Sequence, residues 1–261
     1  ERERERERES NGSRCIDFDK LRLILGDAVD EGQERYAFTW PGKADAIRQS
    51  QTVSTATLRP CVEKSRGRDG EDGSFDSDNI YIEGDNLEVL KLLQRGYHGK
   101  VKMIYIDPPY NTGHDFVYKD KFGDTIENYK EQAGLAGQSN ADTSGRFHSD
   151  WCSMMYPRLR LARELLSDDG VIFISIDDNE DRNLRIICDE VFGEANFVSQ
   201  LIWERAYSPK NDAKYVSNSH DYVLVYAKSI ERFVIGRLPR TAEANARYKN
   251  PDNDPRGVWK P

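Results

Sequence analysis

The chain has 261 residues, a formal net charge of −8, 32% charged residues and 37% hydrophobic ones. That length suits one large domain or two small ones, and so polar a composition predicts segments outside any packed core. The negative balance excludes a surface coated in positive charge. The four scattered cysteines, with no Cys-x-x-Cys pair, give no metal signature, and no apolar run reaches the roughly 18 residues of a membrane span.

The charge is uneven. From Leu201 to Pro261 there are 11 Lys and Arg against 7 Asp and Glu, so a nucleic-acid surface would be local and lean toward this end. No signal peptide is apparent, and the cytoplasm is the default location.

Residues 1–10 alternate Glu and Arg, closing on Ser10, with nothing apolar to anchor them, which predicts a disordered tail. An apolar helix signal follows in Ile16, Phe18, Leu21, Leu23, Ile24 and Leu25, then the aromatic patch Tyr36-Ala-Phe-Thr-Trp40. Together they read as an arm that packs on a core or a partner. Residues 63–78, rich in Gly, Asp, Glu, Ser and Arg, read as a linker. Ile80-Tyr81-Ile82 predicts a short strand. Gly84-Asp85-Asn86 then opens a helix with Leu87, Leu90 and Leu93 on one face, and Asp85 or Asn86 is the expected N-cap. Asp85 either only caps, or also accepts a hydrogen bond from a cofactor.

The stretch Val101-Lys-Met-Ile-Tyr-Ile-Asp-Pro-Pro-Tyr-Asn-Thr-Gly113 organises the rest. Its first half is a short apolar, β-branched and aromatic run, the pattern of a buried strand. Asp107 ends the run. Pro108 and Pro109 have fixed φ and no N–H, so a paired ladder cannot continue through them. The result is a stiff loop at a strand's carboxyl end that carries a carboxylate and then the ring of Tyr110. In open α/β sheets that edge is where ligands bind. A strand-end Asp before prolines is ordinarily only a turn, and the neighbours must decide.

Residues 119–148 are rich in Gly, Asp, Asn, Ser and Gln, and a loop that long beside the Asp107 turn predicts a lid. Ser149-Asp150 begins a helix with Trp151, Met154, Met155, Leu159, Ala162, Leu165 and Leu166 at helical spacing. Pro157 should kink it, and Asp168-Asp169-Gly170 should end it. Val171 to Ile176 is a second buried strand. Asp177 and Asp178 end it, on the same edge as Asp107 if the strands are parallel. A helix from about Asn179 to Phe192 turns Leu184, Ile187, Cys188 and Val191 inward. Phe197–Arg205 and Asp221–Lys228 read as strands pairing antiparallel across residues 208–214. The tail from Arg237 has little periodicity. The alternation of strand and helix predicts an α/β sheet with parallel strands.

Six stretches taken together carry a resemblance. They are Tyr81-Ile-Glu-Gly-Asp-Asn-Leu-Glu-Val-Leu90, Met103-Ile-Tyr-Ile-Asp-Pro-Pro-Tyr-Asn-Thr-Gly113, Arg146-Phe-His-Ser-Asp-Trp151, Met154-Met-Tyr-Pro-Arg-Leu159, Asp168-Asp-Gly-Val-Ile-Phe-Ile-Ser-Ile-Asp-Asp-Asn179 and Cys188-Asp-Glu-Val-Phe-Gly193. In that order the chain resembles the modification subunits of type III restriction–modification systems. These are adenine-N6 DNA methyltransferases of the permuted (beta) class, and the likeness spans about residues 80–228. It implies a Rossmann-like class I methyltransferase sheet with flanking helices, incomplete in this chain. It also implies an N-terminal tail, arm and linker over 1–78, a partial catalytic domain over 79–230, and the start of a target recognition domain over 231–261.

By the same resemblance, Asp107 and the Pro108 carbonyl accept hydrogen bonds from the target amino group, Pro109 stiffens the turn, and Tyr110 stacks on a flipped adenine. Asp85, Asn86 and Asp177 fall on the S-adenosylmethionine side. Asn111, His148 and Trp151 fall near the substrate or lid. No metal is needed. The implied partners are double-stranded DNA, a restriction subunit and a second copy of the full-length protein. The family's Phe-x-Gly-x-Gly cofactor motif does not occur in this sequence. Two cofactor-carrying strands would then be missing, leaving a gap between the Ile80 and Val101 strands. One alternative is therefore an inactive remnant that only associates through exposed sheet edges. Another is methylation of a different amine, such as RNA adenine or a protein glutamine, although those relatives usually carry Asn where this chain has Asp107.

Overall fold

The computed structural model describes residues 37–112 apart from 69, 71 and 72, then 145–206 and 215–259. The apolar segment at 16–25, most of the expected lid and the connection at 208–214 lie outside the described residues. Within them the helices are α1 (Lys43–Gln51), α2 (Asn86–Tyr97), α3 (Gly145–Leu165), α4 (Asp181–Phe192) and α5 (Ala242–Ala246). The strands are β1 (Val101–Ile106), β2 (Leu166–Ile176), β3 (Phe197–Glu204) and β4 (His220–Ala227).

These strands form one sheet in the order β1-β2-β4-β3. β1 and β2 run parallel, with Ile106 opposite Ile174. Parallel neighbours need a crossover, and the connection between them includes α3. β4 returns antiparallel to β2, with Ile174 opposite Leu224, and β3 pairs antiparallel to β4, with Leu201 opposite Val223. The expected α/β sheet with flanking helices is present, and its last two strands pair as their sequences predict.

The core centres on α3, against which α1, α2 and α4 all pack. Trp151, Met154, Met155 and Leu159 are buried in it, as are Ile172, Ile174 and Ile176 of β2, Leu184 and Ile187 of α4, and Leu224 of β4. Each fully buried side chain of this size favours folding by roughly 1.5–3 kcal/mol. Trp40 and the start of α1 are held on α3 and α4 by polar contacts. Trp40 Nε1 donates to Ser153 Oγ at 2.9 Å, and Glu190 accepts from both Lys43 Nζ and the Tyr156 hydroxyl, at 2.7 and 2.8 Å.

Five expectations need correction. The strand β1 is not buried: Met103 and Tyr105 are each 59% exposed. Residues 80–82 form no strand, and Ile80 and Tyr81 are 68% and 88% exposed. A strand forms only against a partner, and residues 80–82 pair with none of the strands among the described residues. The helix α3 already includes Gly145, a turn before Ser149, and the Ser149 hydroxyl donates back to the Gly145 carbonyl at 2.9 Å instead of capping. Asp168-Asp169-Gly170 does not end that helix. It already belongs to β2, and Gly170 passes so close to β1 that an added Cβ would meet the Val101 carbonyl at 3.0 Å. On α4 the last inward side chain is Phe192, while Val191 is only half-buried. The helix α3 runs through Pro157 as one element. Among the described residues, no helix is long and apolar enough to cross a membrane.

Candidate active site at the carboxyl edge of the sheet

The parallel pairing of β1 and β2 brings their carboxyl ends to one edge, where Asp107 and Asp177 both emerge. After Asp107 the two prolines fix the backbone. The Tyr110 ring folds back toward the strand, and its hydroxyl donates to the Asp107 carboxylate. Burial first, and that hydrogen bond second, hold the hydroxyl's pKa well above the usual phenol range, and the charges of Asp107 and Asp221 add to the shift. Tyr110 is therefore a neutral donor and an apolar face beside an exposed carboxylate.

The loop is pinned on both sides of that ring. Before it, the Pro109 carbonyl accepts from Trp151 Nε1 of α3 at 2.7 Å. Trp151 is fully buried, so the donor is fixed by packing and the carbonyl is not left unsatisfied. After it, Asn111 takes the left-handed conformation, with φ of 57°. Asn is among the few residues that tolerate it. The Asn111 amide donates to the Phe147 carbonyl at 3.1 Å and to Glu180 Oε1 at 2.5 Å. His148, half-exposed, meets the same carboxylate through Nδ1 at 2.7 Å.

The structure thus brings Asp107, Pro108, Pro109, Tyr110, Asn111, His148 and Trp151 into one constellation. Asp177 lies at the same edge but closes a local turn, accepting from Asn179 N and Nδ2 at 2.9 and 2.7 Å. Asp85 and Asn86 sit at the start of α2. Asp85 is the N-cap, with Oδ1 accepting from Glu88 N at 3.0 Å. Asn86 Oδ1 accepts from Arg158 Nε of α3 at 2.7 Å. Asp85 is exposed at the positive end of a helix and has a second carboxylate oxygen. That acceptor fits one polar end of a cofactor, while the family's glycine-rich motif is absent from the sequence.

Glu180 has no role in the sequence reading. An acidic residue just after a strand and just before a helix reads as an ordinary charge at a helix start. The available signal was weak: Glu is a poor N-cap, and Asn183 stands one helical turn away.

A family profile described as DNA methylase, covering N6 and N4 enzymes, matches residues 101–260. The EcoPI Mod subunit, a type III restriction-modification enzyme of Escherichia phage P1, is 39% identical over 247 residues, which are 92% of this chain and 37% of that protein. The StyLTI Mod subunit of Salmonella typhimurium LT2 is 42% identical over 248 residues, again 92% and 37%. The chain therefore spans little more than a third of the length of these relatives. Among solved structures, the cytosine-N4-specific PvuII DNA methyltransferase matches 57% of this chain and 48% of that one, at 15% identity and a TM-score of 0.36. A TM-score that low leaves the strand order itself as the basis for the fold.

Proposed function

This chain belongs to the N6/N4 DNA methylase family, and on that footing we propose that it is the catalytic-loop portion of a site-specific DNA adenine-N6 methyltransferase. The parent protein would be the modification subunit of a type III restriction–modification system. It would act on double-stranded DNA in the cytoplasm beside a restriction subunit, as a homodimer, with residues from 231 onward opening its target recognition domain. The likeness to two Mod subunits over 92% of the chain supports that choice within the family.

The observation that carries the chemistry is the pinned loop at the carboxyl edge. An exocyclic amine is a poor nucleophile because its lone pair is delocalised into the ring. The Asp107 carboxylate accepts one N–H and the Pro108 carbonyl the other, which favours a pyramidal nitrogen with its lone pair free. Proline rigidity and the bonds at Pro109 and Asn111 keep those acceptors in place, so little reorganisation is needed as charge develops. A paired base cannot reach this loop, so the adenine must leave the stack, and the face of Tyr110 gives it a platform. When bound, S-adenosylmethionine would supply the methyl group, and Asp85 would be its polar contact in this chain, with Asn86 and Asp177 as further candidate contacts.

The test is Asp107→Ala in the protein that carries this chain. Methylation should fall below detection while DNA affinity stays within a few-fold of wild type. Retained methylation would remove Asp107 from its assigned role. A second reading, an association module without catalysis, is favoured by the edge of β1 that is unpaired among the described residues and by Met103 and Tyr105 on one of its faces, each 59% exposed. Light scattering separates the two: a clean monomer of this chain counts against association.

A further inference from the structure

Glu180 occupies the N-cap position of α4 but makes no side-chain cap bond. Its carboxylate turns inward and is fully buried. Three segments supply its donors. Oε1 takes the Asn111 amide at 2.5 Å and meets His148 Nδ1 at 2.7 Å, while Oε2 takes the Asn183 amide at 2.7 Å. Burying a carboxylate is costly unless its oxygens are satisfied, and here both are. The start of α4, with its partial positive charge, adds further compensation. A surface cap would need none of this. The neighbouring Cys152 thiol feels the charge too: burial first, then Glu180, push its pKa up.

The bond to Asn111 is the informative one. Asn111 sits one residue beyond Tyr110 in the left-handed region, a conformation that persists where its surroundings over-determine it. Both amide protons of Asn111 are fixed, one by Phe147 O and one by Glu180. With Trp151 holding Pro109, the loop is anchored immediately before and immediately after the stacking ring.

We propose that Glu180 is a positioning residue for the methyl-transfer site, which acts through the Asn111 amide to fix the turn after Tyr110 and so the acceptors at Asp107 and Pro108. It does not touch the base. The inference rests on the methyltransferase reading above. Glu180→Ala frees the Asn111 turn, and displacement of the acceptors by about 1 Å slows transfer on the order of 10²-fold.

The test uses the DNA-methylating protein that contains this chain, with variants Glu180→Ala, Glu180→Gln, Asn111→Ala and the Glu180→Ala/Asn111→Ala pair. Single-turnover methylation is measured at saturating DNA and S-adenosylmethionine, below each variant's melting temperature. Glu180→Ala and Asn111→Ala should each lose about 10²-fold in rate with DNA affinity nearly unchanged. The double variant should be no slower than the worse single, because both act on one turn. Glu180→Gln keeps the shape and loses one acceptor, so it should fall between. A role confined to stability would lower the melting temperature and leave the single-turnover rate alone. Wild-type rates in Glu180→Ala, or in Glu180→Gln if the alanine variant does not fold, overturn the inference, as do additive losses in the pair. If the wild-type protein methylates no DNA, the functional reading itself fails and this inference falls with it.

Discussion

At the scale of single residues, the site separates ring, hydroxyl and carboxylate. Tyr110→Phe keeps the platform and removes the hydroxyl that donates to Asp107, so methylation should persist within about tenfold. Tyr110→Ala removes the platform, a loss of roughly 1–3 kcal/mol in base stacking. Single-turnover rates check both, and a Phe variant as slow as the Ala variant would assign the chemistry to the hydroxyl. Trp151→Phe removes the donor to the Pro109 carbonyl and part of a fully buried ring, and should cost at least about 1–3 kcal/mol measurable by denaturant unfolding. The phenols supply a pH test. Burial, followed by hydrogen bonds to Asp107, Glu190 and Asp189 respectively, raises the pKa of Tyr110, Tyr156 and Tyr226, with Tyr156 pushed up to about 12. A raised folded pKa favours the protonated form. Its contribution to stability is complete below the unfolded value of about 10 and is lost as pH rises through the folded value. The phenolate absorbance of these three rings should therefore lag the ordinary range and appear with alkaline unfolding; normal titration of all tyrosines would refute it. The acceptor loop was legible in sequence because two prolines leave the backbone few choices. Glu180 was not, because its partners Asn111 and His148 are 69 and 32 residues away.

At the scale of elements, the β1–β2 pair carries the site, and Gly170 is its tightest point. A Cβ there would meet Ser167 O at 2.9 Å and Val101 O at 3.0 Å, both backbone atoms that cannot swing aside. Gly170→Ala should destabilise by about 1–3 kcal/mol and raise hydrogen exchange along β1 first. Unchanged β1 protection would mean the parallel pair is not held at this contact. Strands with runs such as Val171–Ile176 and Tyr222–Tyr226 were readable from composition alone. The helix-to-strand passage at 165–170 differs from its local reading because Leu166 already pairs with Val101, while Ser167 to Gly170 form the irregularity before the ladder resumes at Met103 and Val171, so the Asp-Asp-Gly turn chemistry survives as a bulge inside the strand. The run Ile80-Tyr81-Ile82 failed for the opposite reason: its local pattern is β, but it is paired with no strand among the described residues, and the open edge of β1 is not used by it.

At the scale of the whole molecule, the sheet presents one face of β1 to solvent and the sequence contains no Phe-x-Gly-x-Gly turn. Under the proposed function, Asp85 would be the main polar contact that this chain offers the cofactor. Calorimetry on this chain should show weak S-adenosylmethionine binding or none, and tight binding would show that the cofactor side is complete after all. The family was legible because six motifs keep one order along the chain. Which amine is methylated is a matter of what the loop accepts, and the family holds enzymes for both adenine N6 and cytosine N4. The decisive measurement is nucleoside analysis of DNA incubated with S-adenosylmethionine and the protein that carries this chain. N6-methyladenine should appear with the wild type and be absent with Asp107→Ala. N4-methylcytosine, or N6-methyladenine undiminished by Asp107→Ala, is incompatible with an adenine held at the Asp107 loop.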